Sequence, residues 1–268
     1  MTNKYIDIAS CRIFSSCWKR SKIVFTFILL LVVSACSTTK HLPEGEVLYT
    51  GNKTNFVDQS NTPVGQTAVG EIKAALDKSP STKILGFIPF PFGMWVYNDF
   101  VKYEKGFGKW IFNRFAAKPV FISTVNPDIR VKVATNLLHD YGYFNGKVAQ
   151  QTIVNPKDSL KARIEYTVDM RNPYFIDTVY YSRFTPKTLR IMERGRWRSL
   201  LSHGEQFNVS DLDEERNRIS TLLRNLGYFY FRPDYMTYQA DTTLVPGGHV
   251  SLKLLPVPGL PPAAQRQY

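Results

Sequence analysis

Apolar and polar residues alternate strictly over positions 162–169 and again over 250–254. Alternation with a period of two puts the apolar side chains on one face of an extended segment, so each stretch predicts a half-buried β-strand. Residues that favour turns come before both stretches, at 155–159 and 246–248. The chain is therefore expected to contain two β-hairpins.

A helix is predicted before each hairpin, because apolar residues recur there three or four positions apart. The first helix has its apolar face at Val133, Ala134, Leu137, Leu138 and Tyr141. The second has its apolar face at Leu212, Ile219, Leu222, Leu223 and Leu226. Asn126 before Pro127 is typical of an N-cap followed by a proline in the first turn, and Ser210 is the predicted N-cap of the second helix.

Both helices lead into the same motif, since residues 137–144 match residues 222–229 at an offset of 85. The repeated Gly-Tyr-Phe residues are Gly142, Tyr143, Phe144, Gly227, Tyr228 and Phe229. A glycine at the end of a helix can adopt the left-handed conformation that stops the helix at low cost. We interpret the motif as a helix stop followed by core aromatics, with a contact between domains as the alternative.

Each repeat also has a candidate leading strand, at 119–123 in the first and at 174–181 in the second. Residues 185–200 can form an extra helix in the second repeat. The predicted order in both is strand, helix or helices, Gly-Tyr-Phe, strand, turn and strand. Helices packed on one face of such a small sheet make an α+β domain.

Residues 46–118 are interpreted as a divergent unit of the same kind, with a strand within 47–57 and a short helix around Ile72. The apolar run 84–92 stands where the other units have Gly-Tyr-Phe. An aromatic-rich stretch follows, with Trp95, Tyr97, Phe100, Trp110, Phe112 and Phe115. Two interpretations stay open: a local core under a long loop, or a patch that faces a membrane or a partner.

The N-terminus has the features of a secretory signal. A basic cluster at 19–22 precedes an apolar run at 23–33, which is shorter than the roughly 20 residues that a bilayer-spanning helix needs. The following Ser34-Ala35-Cys36 resembles the end of a bacterial lipobox, in which the cysteine sulfur accepts diacylglycerol. We therefore expect cleavage before Cys36 and a lipid anchor on that residue. An ordinary signal peptide or a signal anchor is the alternative.

Cysteine and charge counts follow from this cleavage. Cys11 and Cys17 fall in the removed segment, so the chain from Cys36 onward can form no internal disulfide. Residues 1–35 hold five Lys/Arg and one Asp, so the remainder carries about +8 of the total +12. Such a surface suits anionic lipid, cell-wall polymer or an acidic partner, or serves solubility alone. Nucleic acid is not expected for an exported lipoprotein.

The sequence shows no catalytic constellation. The four histidines are scattered and form no close metal-binding pair. Gly106-Phe107-Gly108 lacks the third glycine of a dinucleotide loop. The acids within 211–215 lie at a predicted helix start, where the helix dipole favours them. We expect neither an enzyme nor a metal or other cofactor.

Together these features resemble tandem POTRA domains, the periplasmic modules of BamA-type and TamA-type outer-membrane proteins. Their signature is a helix that ends in a Gly-Tyr-Phe-like segment before a β-hairpin. With its lipobox, the chain resembles the TamL family, the lipoprotein members of the translocation and assembly module, and residues 36–51 and 104–110 have that family's character. The resemblance implies a lipid-anchored periplasmic arm at the outer membrane that acts in protein insertion. Its implied partners are outer-membrane or inner-membrane assembly-module proteins and unfolded client β-strands.

The expected organisation is a signal peptide at 1–35, a lipid-linked tether at 36–45, POTRA-like units at 46–118, 119–172 and 173–258, and a truncated tail at 259–268. Members of the family carry a C-terminal transmembrane β-barrel, and the residues after 258 cannot supply its strands of about ten residues. The main hypothesis for the arm is pairing of an open sheet edge with client strands. The alternative is a structural envelope lipoprotein that binds cell-wall polymer or anionic lipid.

Overall fold

A computed structural model describes residues 42–59, 61–81, 92–243 and 247–268. Cys36, the basic cluster before it and the apolar run 84–91 lie outside the described residues. Within the described residues, 42–50, 79–81 and 92–121 belong to one compact unit, and the rest belong to a second.

The protein is a mixed α+β protein with two three-stranded sheets. Its strands are β1 (Leu48–Val57), β2 (Lys147–Asn155), β3 (Asp158–Asp169), β4 (Phe175–Tyr181), β5 (Met236–Asp241) and β6 (His249–Pro256). Its α-helices are α1 (Pro63–Leu76), α2 (Phe92–Phe100), α3 (Gly106–Phe115), α4 (Ile122–Val125), α5 (Pro127–Asp140), α6 (Pro186–Arg194) and α7 (Val209–Asn225). Short 3₁₀ turns are found at Arg196–Arg198, Pro233–Tyr235 and Pro262–Gln265.

The first sheet has the order β1-β3-β2, with β2 and β3 forming an antiparallel hairpin. The predicted alternation in β3 is confirmed, because Ala162, Ile164, Tyr166 and Val168 are all buried. Helices α1 and α5 pack against each other, and α5 also contacts β2. Pro127 occupies the first turn of α5 as predicted, whereas Asn126 adopts a positive φ of 50° and makes no side-chain cap.

This sheet crosses the expected boundary between units 46–118 and 119–172. Strand β1 comes from the first range, and β2 and β3 come from the second, yet all three lie in one sheet with β3 in the centre. The predicted leading strand at 119–123 is wrong: Phe121 makes a single bridge to Leu48, and residues 122–125 are helical. Since β3 already pairs with β1, the described residues form two sheets rather than three.

The second sheet has the order β4-β6-β5, with β4 parallel and β5 antiparallel to the central β6. The predicted leading strand within 174–181 and the extra helix within 185–200 are both present, as β4 and α6. The predicted N-cap at Ser210 is wrong by two residues. Asn208 caps α7 instead, because its side-chain oxygen accepts a hydrogen bond from the Ser210 amide.

The core beneath this sheet consists of two apolar clusters. One contains Phe184, Met192, Ile219, Leu223, Tyr228, Phe231, Met236, Leu254 and Ala264. The other contains Ile176, Val179, Leu201, Phe207, Leu212, Val250 and Leu252. Because alternate residues of β6 contribute to both clusters, this strand joins the packing of α6 and α7 to the sheet.

One charge is buried between these elements. The Glu215 side chain on α7 is fully buried, and its carboxylate accepts two hydrogen bonds of 2.7 Å from the Arg218 guanidinium. Ser199 Oγ and the Leu200 amide also donate to this carboxylate, at 3.0 Å each. The same group therefore holds the loop after α6 against α7, and its lone pairs are compensated by donors.

We expect Glu215→Ala to lower the free energy of unfolding by about 3 kcal/mol or more, because the Arg218 cation and two loop donors would lose a buried partner. Urea denaturation followed by circular dichroism measures this change. Glu193→Ala is the matched control, since Glu193 pairs with Arg196 with both side chains more than a third exposed. Its cost should stay below about 1 kcal/mol, and equal costs for the two variants would contradict the prediction.

The other compact unit contains the helical pair α2 and α3, which pack against each other. From Phe92 onward the aromatic stretch is helical rather than a long loop: α2 buries Met94, Val96 and Asn98, whereas α3 has no buried residue. In the part of the chain that the structure describes, no helix has the length and apolar character needed to cross a membrane.

Candidate functional site: two glycine corners and an open strand edge

The repeated Gly-Tyr-Phe motif forms the same turn at the ends of α5 and α7. Gly142 and Gly227 adopt positive φ angles of 80° and 96°. The Tyr143 amide donates to the Leu138 carbonyl, and the Tyr228 amide donates to the Leu223 carbonyl, at 2.8 and 3.0 Å. These bonds, with those from each glycine amide to the carbonyl three residues earlier, make a Schellman C-cap. We call residues 141–144 the first corner and residues 226–229 the second corner.

In the first corner, the tyrosine and the phenylalanine point to different surroundings. The Tyr143 side chain is fully buried. The half-buried Phe144 ring packs edge-on against Tyr174 and Phe207, with ring centroids 5.2 and 5.0 Å away. Tyr174 directly precedes β4, and Phe207 belongs to the core of the second sheet. Phe144 therefore connects the α5 end of the first sheet to the second sheet.

Hydrogen bonds also hold this connection between the first corner and the second sheet, which we call the joint. The Tyr174 amide donates to the Gly142 carbonyl at 2.9 Å. The buried Gln206 side chain donates to the Tyr141 carbonyl at 2.9 Å and accepts from the Thr62 hydroxyl at 2.8 Å. Burial, together with a hydrogen bond to Glu71, raises the pKa of Tyr141 to about 12. The joint thus combines satisfied polar groups with packed aromatic rings.

The second corner differs in what covers it. Tyr228 is in the core, but Phe229 is 62% exposed, so the expectation of a core aromatic is wrong at this position. Gln267 donates to the Leu226 carbonyl at 2.9 Å, and the Tyr268 amide donates to the Gly227 carbonyl at 3.0 Å. These two bonds reproduce those that Gln206 and Tyr174 make in the first corner. The two corners therefore share one binding pattern for a glutamine and an aromatic residue.

Strand β2 forms an outer edge of the first sheet. Within the described residues, no hydrogen bond from another element reaches the backbone of its outer side. Residues 148–154 contain no charge and no proline, two of the features that usually block an edge. Alternate residues of an antiparallel edge strand direct N–H and C=O away from the sheet. β2 therefore presents backbone groups that can pair with another strand.

By comparison with β2, the outer edge of β4 is closed. The Ile176 amide donates to Glu205 at 2.7 Å, and the Ile176 carbonyl accepts from Gly204 at 2.8 Å. Further along, Arg196 donates to the Val179 carbonyl at 3.0 Å. β5, the remaining edge of the second sheet, is six residues long, and its first carbonyl accepts from Arg216. Of the three edge strands β2, β4 and β5, β2 is the longest, and its outer edge is the unobstructed one.

The sequence predicted the corners and a strand before the turn at 155–159, but it identified neither the open edge of that strand, β2, nor the role of Gln206. Residues 148–154 have little periodicity, and their lack of charge was the one signal of an open edge. Gln206 lies in a loop, and its partners are 65 and 144 residues away in the chain. Within the described ranges, no group of three His, Cys, Asp or Glu residues is arranged to hold a metal ion.

No family model matches the sequence, and no curated protein matches it. Solved structures give weak similarities. POTRA domains 3–5 of BamA from Haemophilus influenzae match 84% of this chain and 70% of theirs, with 11% identity and a TM-score of 0.42. POTRA domains 1–2 of Omp85 from Anabaena match 80% of this chain and 98% of theirs, with 15% identity and a TM-score of 0.32. CdiB from Acinetobacter baumannii matches 91% of this chain and 38% of its own, with 11% identity and a TM-score of 0.24. Similarity at this level assigns no function to the chain.

Gly142→Ala tests the close approach of Phe207 to Gly142 at the first corner. A Cβ at this position would lie 2.9 Å from the Phe207 carbonyl oxygen and 3.0 Å from its Cβ, in addition to the strain of a positive φ. Gly204→Ala is the matched control, because Gly204 has a φ of 83° and nothing within 4 Å of its added Cβ. We expect the control to cost about 1–2 kcal/mol and Gly142→Ala to cost clearly more. Urea midpoints measure both, and equal midpoints would show that the approach to Phe207 imposes no constraint.

Proposed function

We propose that this protein is a lipid-anchored periplasmic arm that captures strands of other envelope proteins during outer-membrane protein assembly or translocation. The observation that carries the proposal is the open outer edge of β2, which contrasts with the obstructed outer edge of β4. An extended client segment could add to the first sheet as a fourth strand next to β2. It would bond mainly through its backbone, so many client sequences would be accepted.

The proposed attachment is a lipid on Cys36. Diacylglycerol on the sulfur together with a palmitate or similar chain on the new N-terminus would hold the protein stably, because two anchoring signals are needed where a single acyl chain binds only weakly. By the resemblance to the TamL family, we place the anchor in the outer membrane and the folded residues in the periplasm. The proposed partners are assembly-module proteins of either membrane and unfolded client β-strands.

The proposed role is binding rather than catalysis, and it uses no cofactor, metal or nucleic acid. Strand capture needs an accessible edge and a rigid sheet behind it. The β2–β3 hairpin supplies the edge, and the buried face of β3 supplies the rigidity. The joint at the first corner would hold the second sheet in a constant position relative to this edge, because Phe144, Gln206 and Tyr174 link the two by independent contacts.

Photo-crosslinking in living cells tests the edge. Crosslinkers at Ala149 and Gln151, both exposed on β2, should yield adducts with envelope or outer-membrane proteins. A crosslinker at Tyr180 is the matched control, because this residue is 52% exposed but lies on the strand with the closed edge. Equal yields from the two strands, or no protein adducts from β2, would contradict strand capture. Salt-sensitive binding to peptidoglycan without protein adducts would favour the cell-wall alternative.

Adjacent proline substitutions sharpen this test. Gln150→Pro and Gln151→Pro each remove one amide donor, and neighbouring residues of a strand point in opposite directions. One variant should therefore keep the β2–β3 ladder while it loses an outward amide. We expect the variant that remains folded by circular dichroism to give far fewer adducts from Ala149. An undiminished yield from that variant would contradict backbone pairing.

Cys36→Ser tests the anchor independently of the edge. The wild-type protein should incorporate labelled palmitate and gain the mass of the lipid after removal of residues 1–35. The serine variant should incorporate none, since it lacks the sulfur that accepts diacylglycerol. Mass spectrometry of the protein purified from membranes measures both. Label in the serine variant, or an unmodified cysteine in the wild type, would contradict the lipid anchor.

A further inference from the structure

Four aromatic side chains of the α2–α3 pair form a continuous exposed ridge. In spatial order they are Phe107, Trp110, Phe115 and Phe92, and neighbouring ring centroids lie 5.6, 6.2 and 6.1 Å apart. Their side chains are 73%, 57%, 46% and 40% exposed in the same order. Contiguous apolar surface of this kind usually marks a contact with a protein or a membrane. We call these four residues the aromatic ridge.

The ridge is held in place by packing on the other sides of the two helices. Met94 and Val96 of α2 are buried, and the Tyr97 ring packs against Phe112 of α3 with centroids 5.7 Å apart. The Ala117 amide donates to the Gly93 carbonyl at 2.9 Å and closes the pair. A Cβ at Gly93 would lie 2.6 Å from the Ala117 Cβ, so only glycine permits this approach. The aromatic ridge is therefore exposed by the fold of the pair rather than by a lack of structure.

Several basic residues lie close to the aromatic ridge in the sequence. Residues 92–118 contain five Lys/Arg and two acids. Lys102, Lys105, Arg114 and Lys118 are exposed, and no salt bridge engages them within the described residues. Lys109 lies over the Phe112 ring at 5.1 Å. Exposed Trp and Phe side chains with several cations around them are typical of helices that lie in the interface of an anionic membrane.

We propose that the aromatic ridge docks the α2–α3 pair onto an anionic phospholipid surface. The rings would enter the boundary between headgroups and acyl chains, and the four basic residues would meet the lipid phosphates. We choose a lipid surface rather than a protein groove, because the exposed rings occur together with an excess of basic residues, five Lys/Arg against two acids over 92–118. This docking does not depend on strand capture by β2.

Tryptophan quenching by lipid tests the proposal with the full chain. One chain keeps Trp110 as its sole tryptophan through Trp18→Phe, Trp95→Phe and Trp197→Phe. A matched control chain keeps Trp197 alone, which is 77% exposed and lies outside the α2–α3 pair. Both are reconstituted into vesicles of phosphatidylcholine and phosphatidylglycerol with brominated acyl chains. We expect strong quenching of Trp110, little quenching of Trp197, and weaker Trp110 quenching in phosphatidylcholine alone.

Two surface variants of the Trp110 chain separate charge from apolar contact. Lys102→Gln with Lys105→Gln should lower docking in the anionic vesicles by roughly fivefold per residue, the contribution of one basic residue near such a surface. Phe107→Ser should lower it in both kinds of vesicle. Circular dichroism checks that each chain is folded, and the surface substitutions should leave the fold intact because Lys102, Lys105 and Phe107 are exposed. Trp110 quenching no greater than that of Trp197, or quenching unchanged by either variant, would overturn the proposal. Protein adducts from a crosslinker at Phe107 without lipid quenching would also overturn it, by assigning the aromatic ridge to a protein partner.

Discussion

The turn that ends α5 and α7 is the constraint on which the arrangement of both sheets depends. In each case the chain must leave the helix and enter a new direction within two residues, and a left-handed glycine makes this possible. The same glycine leaves no room for a side chain: at Gly142 a Cβ would meet Phe207, and at Gly227 it would meet Tyr268. Helix termination and the docking of the next segment are therefore enforced at one position. A substitution there would disturb both at once.

The two corners use one set of contacts for two partners. At the first, Gln206 and Tyr174 bring the second sheet against the end of α5. At the second, Gln267 and Tyr268 make the corresponding bonds at the end of α7. The difference lies in the phenylalanine, which is packed between two rings at position 144 and is largely exposed at position 229. Equal sequence motifs thus acquire unequal surroundings, because burial depends on what the rest of the chain brings to them.

The surfaces of the protein also differ in how far they are closed to other molecules. The β4 edge is closed by backbone bonds from residues 204–205 and by Arg196, whereas the β2 edge is left accessible. The α2–α3 pair exposes a row of aromatic rings. Open backbone and exposed aromatics both cost stability in isolation, since each favours association with other molecules. Their retention in a protein proposed to work at an envelope membrane is the common basis of both inferences about its function.

Much of the local structure was predictable from the sequence, because it depends on short-range physics. Alternation over 162–169 predicted β3, helical spacing predicted α5 and α7, and the glycine after each helix predicted its end. These signals depend on neighbours three or four residues away at most. The N-cap of α7 was misplaced by two residues because Asn208 and Ser210 are both suitable caps, and local pattern does not choose between them.

Only the tertiary structure decided the pairings between distant residues. β1 joins β3 across more than 100 residues, so one sheet replaced two expected units. The openness of β2, the burial of Gln206 and the contrast between Phe144 and Phe229 follow from such long-range contacts. Backbone hydrogen bonds carry no side-chain signature, and the burial of a side chain depends on partners from elsewhere in the chain. The sequence by itself therefore determined β3, the helices α5 and α7 and the glycines that end these two helices, and the tertiary structure decided which edges and rings remain exposed.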